Sequence, residues 1–161
     1  AMQIAQEMGI LNQGDLVVQT AGTLTGISGS TDLIKVGLVR KIVSRGISIG
    51  EIGVTGKARI IKNNLDISLI CPGEILFVPK ELMQYIPLSK NIAGIVTNQN
   101  VNDVYALFNK NNKKISTICN LENIDNHQIS NGDLITLQLN EGVIYMGQIE
   151  DDDATDKYKY V

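Results

Sequence analysis

The chain has 161 residues, 43% of them hydrophobic, which is enough for one domain with a full core or for a small domain plus a fragment of another. A formal net charge of -3 with no cluster of Lys and Arg leaves nucleic acid and anionic membranes nothing to hold, so neither is expected as a partner. Aromatic residues make up 4% with no Trp, which argues against stacking platforms for bases or sugars.

In chain order, Met2 to Gly9 places Ile4, Ala5 and Met8 on one helical face, and Gly9 supplies a C-terminal stop, so a short helix is predicted. Gly14 to Thr20 is a compact β-branched run after a turn dipeptide, and Leu33 to Val39 reads as a second strand. Between them, Ala21 to Thr31 is rich in Gly, Ser and Thr. One helix and two strands leave both sheet edges unpaired, which predicts an incomplete domain. Recurring glycines from Gly46 to Gly56 mark a connector between two folding units.

Beyond that boundary, strands are predicted at Lys57 to Lys62, Glu74 to Val78, Gly94 to Thr97, Ile115 to Cys119, Leu134 to Leu139 and Val143 to Met146. Helices are predicted near Lys80 to Ile86, where Pro79 suits a first turn, and near Val101 to Phe108. Val101, Val104, Tyr105 and Phe108 follow the i, i+3, i+4, i+7 pattern, which predicts one apolar face laid on a sheet. Glu150 to Tyr160 has no period and much charge and reads as a loose acidic tail. No apolar run approaches the ~20 residues that cross a bilayer, and no basic region with an apolar stretch opens the chain; the expected location is cytoplasmic.

The candidates for chemistry are few. Cys71 and Cys119 each lie in or beside an apolar run, outside any metal-ligand spacing, and are expected to be buried free thiols. The lone histidine, His127, sits in a polar stretch before the Asn131-Gly132 turn and reads as a surface loop residue. The run Asp151 to Asp153 is a solvated stretch and not a metal site, and Asp15 and Asp32 belong to turns. No phosphate-binding Gly-x-x-x-x-Gly-Lys loop is present. The best case is the loop Thr25, Gly26, Ile27, Ser28, Gly29, Ser30, Thr31. Successive backbone N–H groups in such a loop can converge on an anion, and its hydroxyls add donors for a phosphate. An ordinary inter-strand loop is the even alternative.

Two stretches carry a family resemblance. GDLVVQTAGTLTGISGSTDLIKV, Gly14 to Val36, resembles the end of the C-terminal α/β domain of pyruvate kinases, with Thr31-Asp32 in place of the usual Thr-Asn. GVTGKARIIK, PGEILFVPKE, IAGIVTNQN, ISTICNLEN and NGDLITLQLNEGVIYMG, in that order between Gly53 and Gly147, resemble the extra C-terminal domain of some bacterial pyruvate kinases. That domain is similar to the mobile swivelling domain of phosphoenolpyruvate-using enzymes.

The resemblance implies an α/β chain: a partial α/β effector-domain segment over residues 1–45, a swivelling β/β/α domain over 46–150, and an acidic tail over 151–161. It implies a parent enzyme that transfers phosphate from phosphoenolpyruvate to ADP with Mg²⁺ and K⁺, all in a barrel of roughly 250 residues for which this chain is too short. The segment itself is then non-catalytic and needs no cofactor. Its implied partners are the rest of the pyruvate kinase chain, further copies in a homo-oligomer, and a sugar-phosphate or nucleotide effector closed over by Thr25 to Thr31. In phosphate-carrying swivelling domains a His nucleophile precedes the helix; here its position falls on Tyr105, and because a phenol cannot replace imidazole near neutral pH without a strong base beside it, and none is visible, Tyr105 is expected in the core. A free-standing phosphohistidine-type domain that has lost its His, or a separate interaction module, stays open as the rival reading.

Overall fold

The computed structural model describes residues 2–12, 15–21, 33–124, 128–148 and 158–160. The chain divides into two compact units, Ala1–Lys41 with Ile149–Val161, and Ile42–Gln148.

The first unit holds helix α1 (Met2–Glu7) and strands β1 (Leu16–Ala21) and β2 (Leu33–Leu38). Gly9, at φ 73°, reverses the chain after α1 so that the Ile10 N–H returns to the Ala5 carbonyl at 2.9 Å. Strands β1 and β2 pair antiparallel from Leu16↔Leu38 to Ala21↔Leu33. The closing segment differs from the expected loose tail. Tyr158–Tyr160 forms a strand, β11, antiparallel to β2 from Tyr158↔Lys35 to Tyr160↔Leu33, which pairs the edge of β2 that β1 leaves open.

The second unit is built on eight strands: β3 (Ile42–Arg45), β4 (Ile47–Ile49), β5 (Val54–Ile60), β6 (Ile75–Val78), β7 (Gly94–Thr97), β8 (Thr117–Cys119), β9 (Leu134–Gln138) and β10 (Val143–Met146). Their order in the sheet is β3-β10-β9-β5-β6-β7-β8-β4. The four central strands β5 to β8 run parallel, and the remaining pairings are antiparallel. Strands β3 and β4 lie at opposite ends of that order yet are separated in the chain by Gly46 alone, so the sheet must curl until its two ends meet.

Gly46 is where they meet. Its N–H donates to the Gly142 carbonyl at 2.9 Å, and a Cβ there would stand 2.5 Å from the Cys119 carbonyl oxygen. The stretch from Gly46 to Gly56, expected as a connector between two folding units, is itself structured. It contains β4 and the start of β5, and its Gly46 answers a need for close backbone approach.

The curl separates two cores. Alternate residues of the parallel strands, Ile75 and Phe77 on β6, Val96 on β7 and Ile118 on β8, meet Ile135, Leu137 and Ile144 from β9 and β10 on one side. Their neighbours Leu76, Val78, Ile95 and Cys119 face the helices on the other. Because both faces are covered, β6, β7 and β8 are buried throughout, and their sequences contain no charged residue.

Helix α3 (Val101–Lys110) closes the second core with Val104 and Phe108, helped by Val101 and Leu107. Tyr105 departs from the expected inward face and is 42% exposed. At about 100° per residue, a face centred on Val101, Val104, Leu107 and Phe108 leaves Tyr105 on the flank. The segment Lys80–Tyr85 is a 3-10 helix following Pro79, and Met83 is its buried residue. Helix α2 (Asn64–Ser68), absent from the predicted elements, is a single turn made by its cap: the Asn63 side chain accepts from Leu65 and Asp66 N–H, and the Asp66 carboxylate accepts from Asn63 N–H at 3.1 Å.

Candidate functional site: a groove at the carboxyl ends of the parallel strands

In parallel sheets, the loops that leave the carboxyl ends of adjacent strands gather on one edge and form ligand sites there. Here β6 leads through Pro79 to Lys80, β7 to Asn98-Gln99-Asn100, and β8 to Asn120. These residues, with Glu81 and Asp103, line a groove of about 330 Å³. Local hydrogen bonds fix its walls. The Lys80 N–H donates to Asn98 Oδ1 at 2.8 Å, the Gln99 N–H to Thr97 Oγ1 at 3.2 Å, and the Asn120 N–H to the Gln99 carbonyl at 2.8 Å. Asn100 caps α3, its Oδ1 accepting from Asp103 N–H at 2.9 Å while its Nδ2 donates to Asp103 Oδ2 at 2.7 Å. Asn120 holds φ 61°, a left-handed conformation that Asn tolerates better than most residues and that is enriched at functional sites.

One atom is left over. Gln99 Oε1 is buried without a hydrogen-bond partner, one of two such side-chain atoms among the described residues, the other being Ser48 Oγ. The groove contains charges of both signs and four carboxamides. Among the described residues, no three His, Cys, Asp or Glu side chains gather as a metal would need.

At the opposite, amino end of β6 lies a bidentate ion pair. Arg59 on β5 donates to Glu74 through Nε at 3.0 Å and Nη2 at 2.7 Å, and the Cys71 N–H donates to Glu74 Oε2 at 2.9 Å. The Arg59 hydrogen bonds pull the Glu74 carboxyl below its ordinary range; burial opposes this, and the Cys71 N–H assists it. Cys71 is exposed, not buried as expected, because it stands in the loop between α2 and β6. Cys119 is buried, its S–H toward the Ile47 carbonyl at 3.3 Å, and burial pushes the thiol up.

The expected site residues fare unequally. Thr25, Gly26, Ile27, Ser28, Gly29, Ser30 and Thr31 lie outside the described residues, as do Asp32, His127 and Asp151 to Asp153. Tyr105 is on the exposed flank of α3 and does not line the groove. The groove residues were missed. Their signal is slight: a polar residue directly after each apolar strand run, at Asn98 and Asn120.

No family model matches the sequence. Among curated proteins, pyruvate kinase 2 of Synechocystis is 36% identical over 149 residues, which is 92% of this chain and 25% of that one. A pyruvate kinase of Staphylococcus saprophyticus is 30% identical over 149 residues, and one of Lactobacillus delbrueckii subsp. bulgaricus 25% over 150, again covering 25% of each relative. This chain is a relative of the bacterial pyruvate kinases over a quarter of their length. That is consistent with the C-terminal pyruvate kinase segment expected from the two quoted stretches. Among solved structures, the microcin C7 self-immunity protein MccF in complex with aspartyl sulfamoyl adenosine aligns over 91% of this chain and 56% of its own, at TM-score 0.45 and 13% identity. A likeness that low carries no argument about this pyruvate kinase relative.

Among the described residues, no helix is long and apolar enough to cross a membrane.

Proposed function

We propose that this chain is the C-terminal regulatory and assembly segment of a pyruvate kinase and is not catalytic by itself. The carrying observation is the match of nearly the whole chain, at 36% identity, to only a quarter of a pyruvate kinase. A segment of this size cannot contain a barrel of about 250 residues, where the family's phosphoryl transfer from phosphoenolpyruvate to ADP, with its Mg²⁺ and K⁺, would take place. Residues 1–45 are then the end of the α/β effector domain, with Thr25 to Thr31 closing over a sugar-phosphate or nucleotide effector. Residues 46–150 are the extra swivelling domain, Tyr105 occupying its lost phosphohistidine position, and 151–161 follow as an acidic segment. The rest of the kinase chain and further copies in a homo-oligomer are the partners, in the cytoplasm.

The purified chain is expected to turn over no phosphoenolpyruvate with ADP, Mg²⁺ and K⁺, and to acquire no acid-labile phosphate from phosphoenolpyruvate and a phosphohistidine donor protein. Turnover above a mock-purified control would sink the reading, and acid-labile labelling would favour a phosphate-carrying domain instead.

A further inference from the structure

The Asn131-Gly132 turn, which leads into β9 beside the end of β5, plays no part in the proposed function. It is the one place in the chain where Gly follows Asn, and both residues are exposed. An asparagine before glycine is chemically labile, because Gly has no Cβ to shield its backbone nitrogen from the neighbouring carboxamide. Once that nitrogen gives up its proton it can attack Asn131 Cγ: the N–Cγ bond forms, the Cγ–Nδ2 bond breaks, and Nδ2 leaves as ammonia. Water then opens the resulting succinimide. Attack at Cγ gives aspartate, whereas attack at the main-chain carbonyl carbon gives isoaspartate, whose backbone runs through Cβ and is longer by a methylene.

The folded turn opposes the first step. The Asp133 N–H donates to the Ser130 carbonyl at 3.1 Å, Gly132 stands at φ 89°, and Asn131 is not among the non-glycine residues with positive φ. Together these define a type II turn with Asn131 at its first central position, where ψ is about +120°. Ring closure needs the Gly132 nitrogen to eclipse the Cα–Cβ bond of Asn131, and at that ψ it lies about a third of a turn away. Hydrogen bonds hold both reactants. The Gly132 N–H, whose proton must leave, donates to the Ala58 carbonyl at 2.9 Å, and Asn131 Oδ1 accepts from the Ile60 N–H at 2.7 Å. The Ala58 N–H donates to the Asp133 carbonyl at 2.8 Å and the Ser130 N–H to Asp133 Oδ2 at 2.9 Å, so the turn cannot rotate without peeling away from the end of β5.

We propose that Asn131 is a site of spontaneous deamidation gated by this turn: it is modified when the turn opens, and the isoaspartate product does not fit back. The added methylene falls inside the Ser130–Asp133 turn and moves the acceptor away from the Ile60 N–H. The proposal stands whether or not the chain is a regulatory segment of a kinase.

The test incubates the full chain at mildly alkaline pH in native buffer and in urea. It follows the mass gain of amide-to-acid conversion in the peptide bearing Asn131, with isoaspartate counted by enzymatic carboxyl methylation. Because only the open fraction reacts, modification should be at least about tenfold faster in urea. Gly132→Ala, whose methyl crowds the attacking nitrogen, should slow the urea rate several-fold. Asp133→Ala, which removes the acceptor of the Ser130 N–H, should raise the native rate several-fold and leave the urea rate unchanged. Chain carrying isoaspartate at 131, returned to native buffer, should unfold at a lower urea midpoint than the unmodified chain. Equal rates in native buffer and urea, faster modification of another asparagine in urea, a native rate indifferent to Asp133→Ala, or an unchanged midpoint after isoaspartate formation overturns the proposal. The comparison of native buffer with urea is made on the unaltered chain, so misfolding of a variant cannot mimic its result.

Discussion

The two units bury their strands differently. In the unit Ile42–Gln148 every residue of β6 and β7 is buried, alternate side chains feeding two separate cores. In the other unit β1 and β2 are no shorter, yet Leu16 is 69%, Val18 57% and Val36 52% exposed. Length and β-propensity are similar, so the difference lies in what covers the faces. A strand becomes stabilising when both its faces find partners, at about 25 cal/mol for each Å² of apolar surface removed from water. The larger unit supplies those partners by curling its sheet around Gly46 and covering the outside with α3 and the 3-10 turn.

The contrast can be broken most severely at the helix that covers the second core. Phe108 is 3% exposed among Val104, Ile95 and Met83, and Phe108→Ala should destabilise the larger unit by about 3–5 kcal/mol in urea unfolding. A loss below 1 kcal/mol would mean that the core collapses around the vacancy and that α3 is not a principal support. The seam is the next most sensitive point. Gly46→Ala would place a methyl 2.5 Å from the Cys119 carbonyl oxygen, a contact with backbone that no side-chain rotation relieves. A cost of about 1–3 kcal/mol is expected; Gly132, where nothing lies within 4 Å, stands at φ 89°, so Gly132→Ser should cost about 1–2 kcal/mol from backbone strain alone. An unchanged unfolding midpoint for Gly46→Ala would argue that the sheet is not closed there.

Most of this architecture was legible because the inner strands Ile75–Val78 and Gly94–Thr97 are buried on both faces and the main helix shows a helical period. Ile75–Val78, Gly94–Thr97 and Val143–Met146 stand in the structure within a residue of where their composition places them. Three features were hidden for physical reasons. The strands Ile42–Arg45 and Ile47–Ile49 are short and separated by a glycine, and a glycine required by close packing looks in sequence like one required by a turn. Helix Asn64–Ser68 has no buried face to leave a period and is announced only by its Asn63 and Asp66 cap. The groove draws on three loops far apart in the chain, and its polar residues converge only because the strands before them are parallel neighbours.

A smaller effect is expected from the ion pair that ties β5 to the start of β6. Glu74 has its pKa lowered by the Arg59 hydrogen bonds, so its contribution to stability is present above the unfolded carboxyl value of about 4.3 and is lost as pH falls through the lower folded value. The unfolding midpoint should therefore fall on acidification below that range. Glu74→Gln, which keeps the shape but not the charge, should cost about 1–2 kcal/mol at pH 7, and this difference from the natural chain should shrink toward the acidic end. A constant difference across pH 3 to 7 would assign the stabilisation to packing and not to the charge.

The smallest effect on folding, and the most informative for the comparison, belongs to the exposed face of the other unit. Leu16 and Val18 lie two residues apart on β1, with Val36 paired opposite Val18, so all three share one face of the sheet. Substituting exposed residues in this way usually changes stability by no more than about 0.5 kcal/mol, and the double variant Leu16→Thr, Val18→Thr should unfold with nearly the natural midpoint. If the proposed homo-oligomer uses this face, the same variant should nonetheless lower the mass seen by light scattering, because a stable interface needs roughly 1,000 Å² or more of contact and these side chains would sit within it. The two measurements separate the roles: a falling midpoint with unchanged mass would make the face part of a folding core, whereas falling mass with an unchanged midpoint makes it a joint. A natural chain that scatters as a monomer at high micromolar concentration, with β1 and β2 still protected from hydrogen exchange, would remove the joint and leave the three-stranded sheet stable by itself.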